Sequence, residues 1–166
     1  MSNRTSLIPF CVVFFVLIDW ITKFAVLLES KGNLSTPILY RYSIGELSFS
    51  LIPTFNEGAA FGLFSKYKYI LFSLRIIVIV GLLTFLFFKK NALNSVASFS
   101  LTLLVSGAIG NVGDIIFHGH VIDFIALQYK NWAFPTFNFA DIFISVGTIL
   151  LISKLYFPTK QTLKRG

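Results

Sequence analysis

Residues 96–124 read VASFSLTLLVSGAIGNVGDIIFHGHVIDF. From 96 to 117 the stretch is apolar or small apart from Asn111 and Asp114. As a helix rising about 1.5 Å per residue it is long enough to cross a hydrocarbon core of roughly 30 Å. Beyond it come His118, Gly119 and His120, then Asp123 set among apolar neighbours in VIDFI. An apolar run of this length with a carboxylate near its end is either the core helix of a soluble domain or a membrane span.

Composition decides for the span. The chain has 166 residues, of which 55% are hydrophobic, 17% aromatic and only 13% charged, so it is too apolar for a soluble domain of that length. Three more runs of about 20 apolar residues can be marked off, at 7–28, 69–88 and 139–157. The first, although it follows Arg4, contains Asp19 and Lys23 and has no small-residue cleavage site after it, so it is expected to remain as a span. Cys11 follows bulky Phe10, which does not suit a lipid-attachment site, and a lone cysteine says nothing about redox compartment. The expected fold is an all-α membrane protein of four transmembrane helices, a single integral domain over 1–166 with no internal repeat or linker.

Lysine and arginine density sets the expected orientation. Arg4, Lys89, Lys90, Lys154, Lys160, Lys164 and Arg165 crowd the two termini and the 89–95 turn, whereas Lys31, Arg41, Lys66, Lys68 and Lys130 are spread over the longer connections 29–68 and 118–138. By the positive-inside rule both termini lie in the cytoplasm and those two connections are extracytoplasmic. The net charge of +7 then reflects retention of the ends and contact with anionic lipid headgroups. No basic stripe lies on a soluble face, so nucleic acid does not fit as a partner.

In the first connection Leu47, Phe49 and Leu51 alternate with Ser48 and Ser50, the period of a strand, which predicts a short sheet or hairpin on the membrane surface. NEGAAFG at 56–62 combines Asn56 with Gly58, Gly62 and two alanines. It reads either as a tight re-entrant turn or as backbone that a substrate or helix can approach closely. The second connection is expected to be a surface loop, with Trp132, Phe134 and Phe137 suited to an interfacial aromatic belt.

Each carboxylate within or beside a span needs a reason, since insertion scales put Asp at about 2.5 to 3.5 kcal/mol at a helix centre. Asp19 lies four residues before Lys23, on one helix face, which suits an ion pair. Asp141, three residues after Asn138, fits a helix N-terminus with Asn138 as N-cap. Asp123 has no such role. If the third and fourth spans are antiparallel neighbours, the connection between them can bring Asp123 beside Asp141. Two close carboxyls share a proton, which is the chemistry of an aspartic protease. No H-E-x-x-H, G-x-S-x-G or phosphate-binding loop is present, and no metal or organic cofactor is implied. A proton- or cation-coupled transporter and a non-catalytic membrane assembly factor are the competing readings. Arg75, inside the second run, is left unassigned between snorkelling and a lipid phosphate.

Four patches, in order, resemble one family. They are DWITK with Asp19 and Lys23; NEGAAFG with Asn56, Gly58 and Phe61; GAIGNVGD and GHVIDF with Asn111, Asp114 and Asp123; and FPTFNFAD with Asn138, Ala140 and Asp141. The chain resembles the lipoprotein signal peptidase (signal peptidase II) family, membrane aspartic proteases that cleave bacterial prolipoproteins. The resemblance implies that Asp123 and Asp141 are the catalytic pair and that Asn56, Gly58, Asn111, Asp114 and Asn138 shape the site or hold substrate, with Asp19 and Lys23 in support. It also implies a substrate whose cysteine carries a diacylglyceryl group, a cut just before that cysteine, and a site at the outer face of the bacterial cytoplasmic membrane under a sheet that forms a cradle. Two positions depart from the pattern. Ile115 stands where the family usually has Arg, and Ser106-Gly107 where it has a glycine pair. The first removes a positive group that would contact substrate or lipid headgroup. Nothing in the sequence marks an oligomeric state.

Overall fold

The computed structural model describes residues 7–30, 38–57, 65–89 and 92–156. Gly58 and the remainder of NEGAAFG after Glu57 lie outside the described residues.

Four helices carry the apolar runs: α1 Leu7–Glu29, α2 Lys68–Lys89, α3 Ser95–His118 and α4 Phe139–Tyr156. Three of them are long and apolar enough to cross a membrane, over Leu7–Glu29, Tyr69–Lys89 and Ser95–His118. The fourth has 18 residues, or about 27 Å of helix. A 3-10 turn at Ser65–Tyr67 leads into α2.

Helix α3 is central and packs on α4, α1 and α2. Its apolar window is 61% buried, against 11% for that of α2, which is therefore peripheral. Packing between helices in lipid gains little from the hydrophobic effect and depends on close approach of small residues. At Gly110 an added Cβ would stand 2.5 Å from Asp19 Oδ2, so only glycine lets the α1 carboxylate lie against α3. Val12, Val16, Leu86, Leu101 and Val105 form the buried apolar cluster inside the bundle.

A four-stranded antiparallel sheet, in the order β1-β2-β3-β4, lies at one end of the helices. Its strands are β1 Tyr40–Ile44, β2 Leu47–Asn56, β3 Val121–Tyr129 and β4 Trp132–Ala133. The hairpin expected in the first connection is β1–β2. Its burial is less regular than the alternation suggested: Phe49 and Leu51 pack on the cluster of Val26, Phe124 and Ile125, but Leu47 is half exposed. Ser50 is buried and accepts a hydrogen bond from Arg41 Nε at 3.2 Å.

The second connection is not a loop throughout, because most of it forms β3 and β4. Val121 to Ile125 are buried in an unbroken run, so β3 shows no alternation, which is why periodicity does not reveal it. Of the proposed aromatic belt, Trp132 is exposed, whereas Phe137 pairs its backbone with Ile125 and joins the apolar cluster under the sheet.

Two local features aim β2 and β3 at the bundle. Helix α3 ends at Gly119, whose φ of 81° is left-handed and whose N–H donates to Ile115 O at 3.0 Å. The β2–β3 register shifts between Leu51 and Thr54: Leu51 faces Ile125, but Thr54 faces Asp123 and Asn56 faces Val121. Pro53, which lacks an N–H for the ladder, sits in this bulge. A one-residue shift exchanges the faces of a strand, and here it leaves Asn56 diagonal to Asp123 on the same face.

Candidate active site

Asp123, on β3, is buried at 3% exposure between two amides. Asn56 Nδ2 donates to its Oδ2 at 3.1 Å and Asn138 Nδ2 to its Oδ1 at 2.7 Å. Both bonds favour the anion, and Lys23 does so at longer range. Burial acts the other way, the negative charge of Asp141 adds to it, and together they win: the Asp123 carboxyl is pushed up from the usual range to about 7.

Asp141 lies in the first turn of α4 and is both a cap and a wall of the site. Asn138 N–H donates to Asp141 Oδ2 at 3.1 Å, and Asp141 N–H donates back to Asn138 Oδ1 at 2.9 Å, the reciprocal arrangement of a capping box. Its other oxygen, Oδ1, accepts from Asn111 Nδ2 at 2.9 Å. The capping role that the Asn138–Asp141 spacing suggested is thus present, and it does not compete with a place in the cavity.

Asn138, fully buried, joins the two carboxylates. Its Nδ2 lies within hydrogen-bonding distance of Asp123 Oδ1, Asn111 Oδ1 at 3.0 Å and Ile122 O at 3.2 Å, so two N–H groups are shared among three acceptors. Asn111 in turn accepts from Lys23 Nζ at 3.2 Å.

Behind this layer lies a buried ion triad. Lys23 Nζ stands 2.6 Å from Asp19 Oδ2 and 2.7 Å from Asp114 Oδ2. The expected pair within α1 therefore gains a third member from α3. Asp19 Oδ1 accepts the N–H of Ala140 at 2.9 Å, tying α1 to the start of α4. Asp114 Oδ2 accepts the N–H of Ile122 at 3.2 Å, which holds the residue next to Asp123. Among the described residues no buried side-chain nitrogen or oxygen lacks a hydrogen-bond partner, the condition under which such a triad is tolerable in an apolar bundle.

A cavity of about 470 Å³ opens on the carboxylates. Asn56, Asn111, Asp123 and Asp141 line it, with Phe134 to Phe137, Ile142, Val146 and Arg75 among its other walls. Asp19, Lys23 and Asp114 do not line it; Lys23 and Asp114 face a smaller crevice on the other side of α3, with Trp20, Phe117 and His118. The residues singled out from sequence thus separate into a layer on the cavity and a layer that braces it, and Gly58 lies outside the described residues. Sequence reasoning did not assign Arg75. Its one signal was a charge inside an apolar run.

Two carboxyls on one cavity, one of them held near neutrality, can divide the work of base and acid on a bound water and carbonyl.

The sequence profile of the family described as Signal peptidase (SPase) II matches residues 11–157. The lipoprotein signal peptidase of Chlamydia felis (strain Fe/C-56) is 62% identical over 166 residues, covering 99% of this chain and 100% of that protein. That of Chlamydia pneumoniae is 59% identical over 167 residues, covering 99% of each. A bacterial membrane enzyme solved by the in meso method at 2.3 Å resolution superposes with a TM-score of 0.74 and 29% identity over 94% of this chain and 91% of that one. A match along nearly the whole chain, on a bundle that brings two aspartates to one cavity, leaves a single conclusion: the chain belongs to the signal peptidase II family.

Proposed function

We propose that this protein is a membrane aspartic endopeptidase that removes signal peptides from bacterial prolipoproteins, cutting just before a cysteine that carries a diacylglyceryl group. One observation carries the reading: Asn138 ties Asp123 to the turn that holds Asp141, and both carboxylates line one cavity. A transporter is not favoured, since these two acids sit together at the sheet end of the bundle rather than along a path through it.

Asp141 is the base. Its oxygens accept N–H bonds from Asn111 and from the start of α4, a setting that stabilises a carboxylate. Asp123, pushed up to about 7, carries the shared proton. Asp141 takes a proton from water as the oxygen attacks the scissile carbonyl, and Asp123 donates to the carbonyl oxygen. Asp141 then protonates the leaving nitrogen while Asp123 recovers its proton from the tetrahedral hydroxyl. The C–N bond breaks, giving a carboxylic acid and a free amine and returning both aspartates to their starting states; the acid then loses its proton to solvent. The assigned residues require no metal or cofactor for these steps.

In the cell the protein is a single integral domain of the bacterial cytoplasmic membrane, in contact with its lipids. Helix α4 forms the fourth crossing, both termini are cytoplasmic, and the sheet covers the site at the extracytoplasmic face. The density of lysine and arginine at the ends and near residue 90 supports this orientation. Asn56, Asn111 and Asn138 shape the site directly; Asp114, Asp19 and Lys23 brace it, and Gly58 belongs to the same motif as Asn56.

The test is reconstitution of the purified chain in lipid with a diacylglyceryl-modified precursor. Release of the signal peptide is expected. No release from folded protein, or equal release from an unmodified precursor, would reject this reading.

A further inference from the structure

Among the described residues that line the carboxylate cavity, Arg75 is the charged one that the two-carboxylate mechanism does not use. It lies seven residues past Lys68, the start of α2, so about 10 Å along the helix from the sheet end. A guanidinium at that depth is costly and calls for a partner or a function.

Its surroundings supply one. The cavity that holds the carboxylates shares Asn56 and Arg75 with a second cavity of about 290 Å³ lined by Phe72, Ile115, Gly119 and His120. The two form one groove. It is apolar along Ile142 and Val146 and reaches Glu57 and His120 at the other end. Arg75 is the single Lys or Arg among the described residues that line either part, and its charge acts on Asp141 and on Asp123. Ile115 lines the second cavity from α3, so an arginine placed there would enter the same space as Arg75.

We infer that Arg75 is a substrate-binding residue, its guanidinium donating hydrogen bonds to carbonyl oxygens of the substrate in this groove. A peptide laid across the aspartates and the glyceryl esters beside them offer the same chemistry, uncharged carbonyl acceptors. A guanidinium, with five N–H donors in one plane, can serve several of these together.

The inference rests on the proposed function, and its test separates the two. Steady-state cleavage by full-length protein in lipid is measured for the parent, Arg75→Met, Arg75→Gln and the double variant Arg75→Met with Ile115→Arg. Each is given the diacylglyceryl precursor and an ether-linked analogue without ester carbonyls. Loss of a hydrogen bond from a charged donor is expected to raise KM roughly ten- to hundredfold in Arg75→Met, with kcat changed far less. Ile115→Arg is expected to recover most of that loss. If ester carbonyls are the acceptors, the parent loses as much on the ether analogue and Arg75→Met loses nothing further. If backbone carbonyls are, the ether analogue behaves like the ester and Arg75→Met is weak on both. Arg75→Gln, which keeps a polar side chain, carries the same KM reading should the methionine variant not be recovered folded. An active parent with KM unchanged in the variants, a loss confined to kcat, or no recovery by Ile115→Arg overturns the inference and leaves the peptidase reading standing. A parent that cleaves nothing removes both.

Discussion

Asn138 and Asp141 each donate a backbone N–H to the other's side chain, at 3.1 and 2.9 Å, and the amide of the same Asn138 reaches Asp123 Oδ1 at 2.7 Å. A helix cap is thereby the device that holds the two acids in one arrangement. Local chain stability and the geometry of the site are coupled at this point, and the expected effects of substitution follow from that coupling.

Asp123→Asn and Asp141→Asn are each expected to abolish nearly all cleavage, and the double variant to lose little more, because members of one catalytic device are strongly non-additive. Asn matches the carboxyl in size but cannot relay a proton near neutral pH. Were Asp141 only a cap, Asp141→Asn would be mild, since Asn keeps an acceptor oxygen and loses a dipole term of about 0.3 to 1 kcal/mol. Signal-peptide release by either single variant, measured on folded protein, separates these outcomes.

Burial of Asp123 makes stability depend on pH with a definite sign. Its folded value, about 7, lies above the ordinary aspartate value of 3.8, so the folded state holds a proton that the unfolded state releases between these values. Stability from this group is full below about pH 4, falls as pH rises toward 7 and stays low above it. Asp123→Asn is expected to raise the thermal midpoint at pH 8, by a shift equivalent to at most a few kcal/mol, and to change it little at pH 4. A variant less stable than the parent at pH 8 would contradict the assignment.

Lys23→Met is expected to destabilise the bundle by about 3 to 5 kcal/mol, because it leaves Asp19 and Asp114 buried without their cation. Adding Asp19→Asn and Asp114→Asn in the same chain is expected to restore part of that loss. Denaturation midpoints of the single and triple variants check this; a triple variant no more stable than Lys23→Met would show that the triad is not held by charge balance.

In a Cys11→Ala background, a cysteine at exposed Ser43 on β1 is expected to react with an impermeant reagent added outside intact cells, and one at exposed Ala92 is not. Reaction at Ala92 from outside would invert the orientation and move the site to the cytoplasmic face.

Much of this protein was legible from its sequence. The apolar runs show where the helices form, because length and hydropathy are local properties that the bilayer reads directly. The Asp19–Lys23 pair and the Asn138–Asp141 cap follow from spacings of four and three residues, which a helix alone brings together. Of the residues in the family motifs, Asn56, Asn111, Asp123 and Asp141 line the cavity, while Asp19, Lys23 and Asp114 lie behind it. Strand β3 could not be read, because burial on both faces erases the alternation that would mark it. The third member of the ion triad, the reach of Asn138 to Asp123 and the entry of Arg75 into the groove also escaped the sequence. These contacts join α1 to α3, α4 to β3 and α2 to the site. They depend on the bulge at Pro53, the left-handed turn at Gly119 and the close approach at Gly110. Hydropathy and helical spacing determine which segments form, whereas the register and separation of packed elements, set only in the tertiary structure, determine which distant side chains share a proton or a charge.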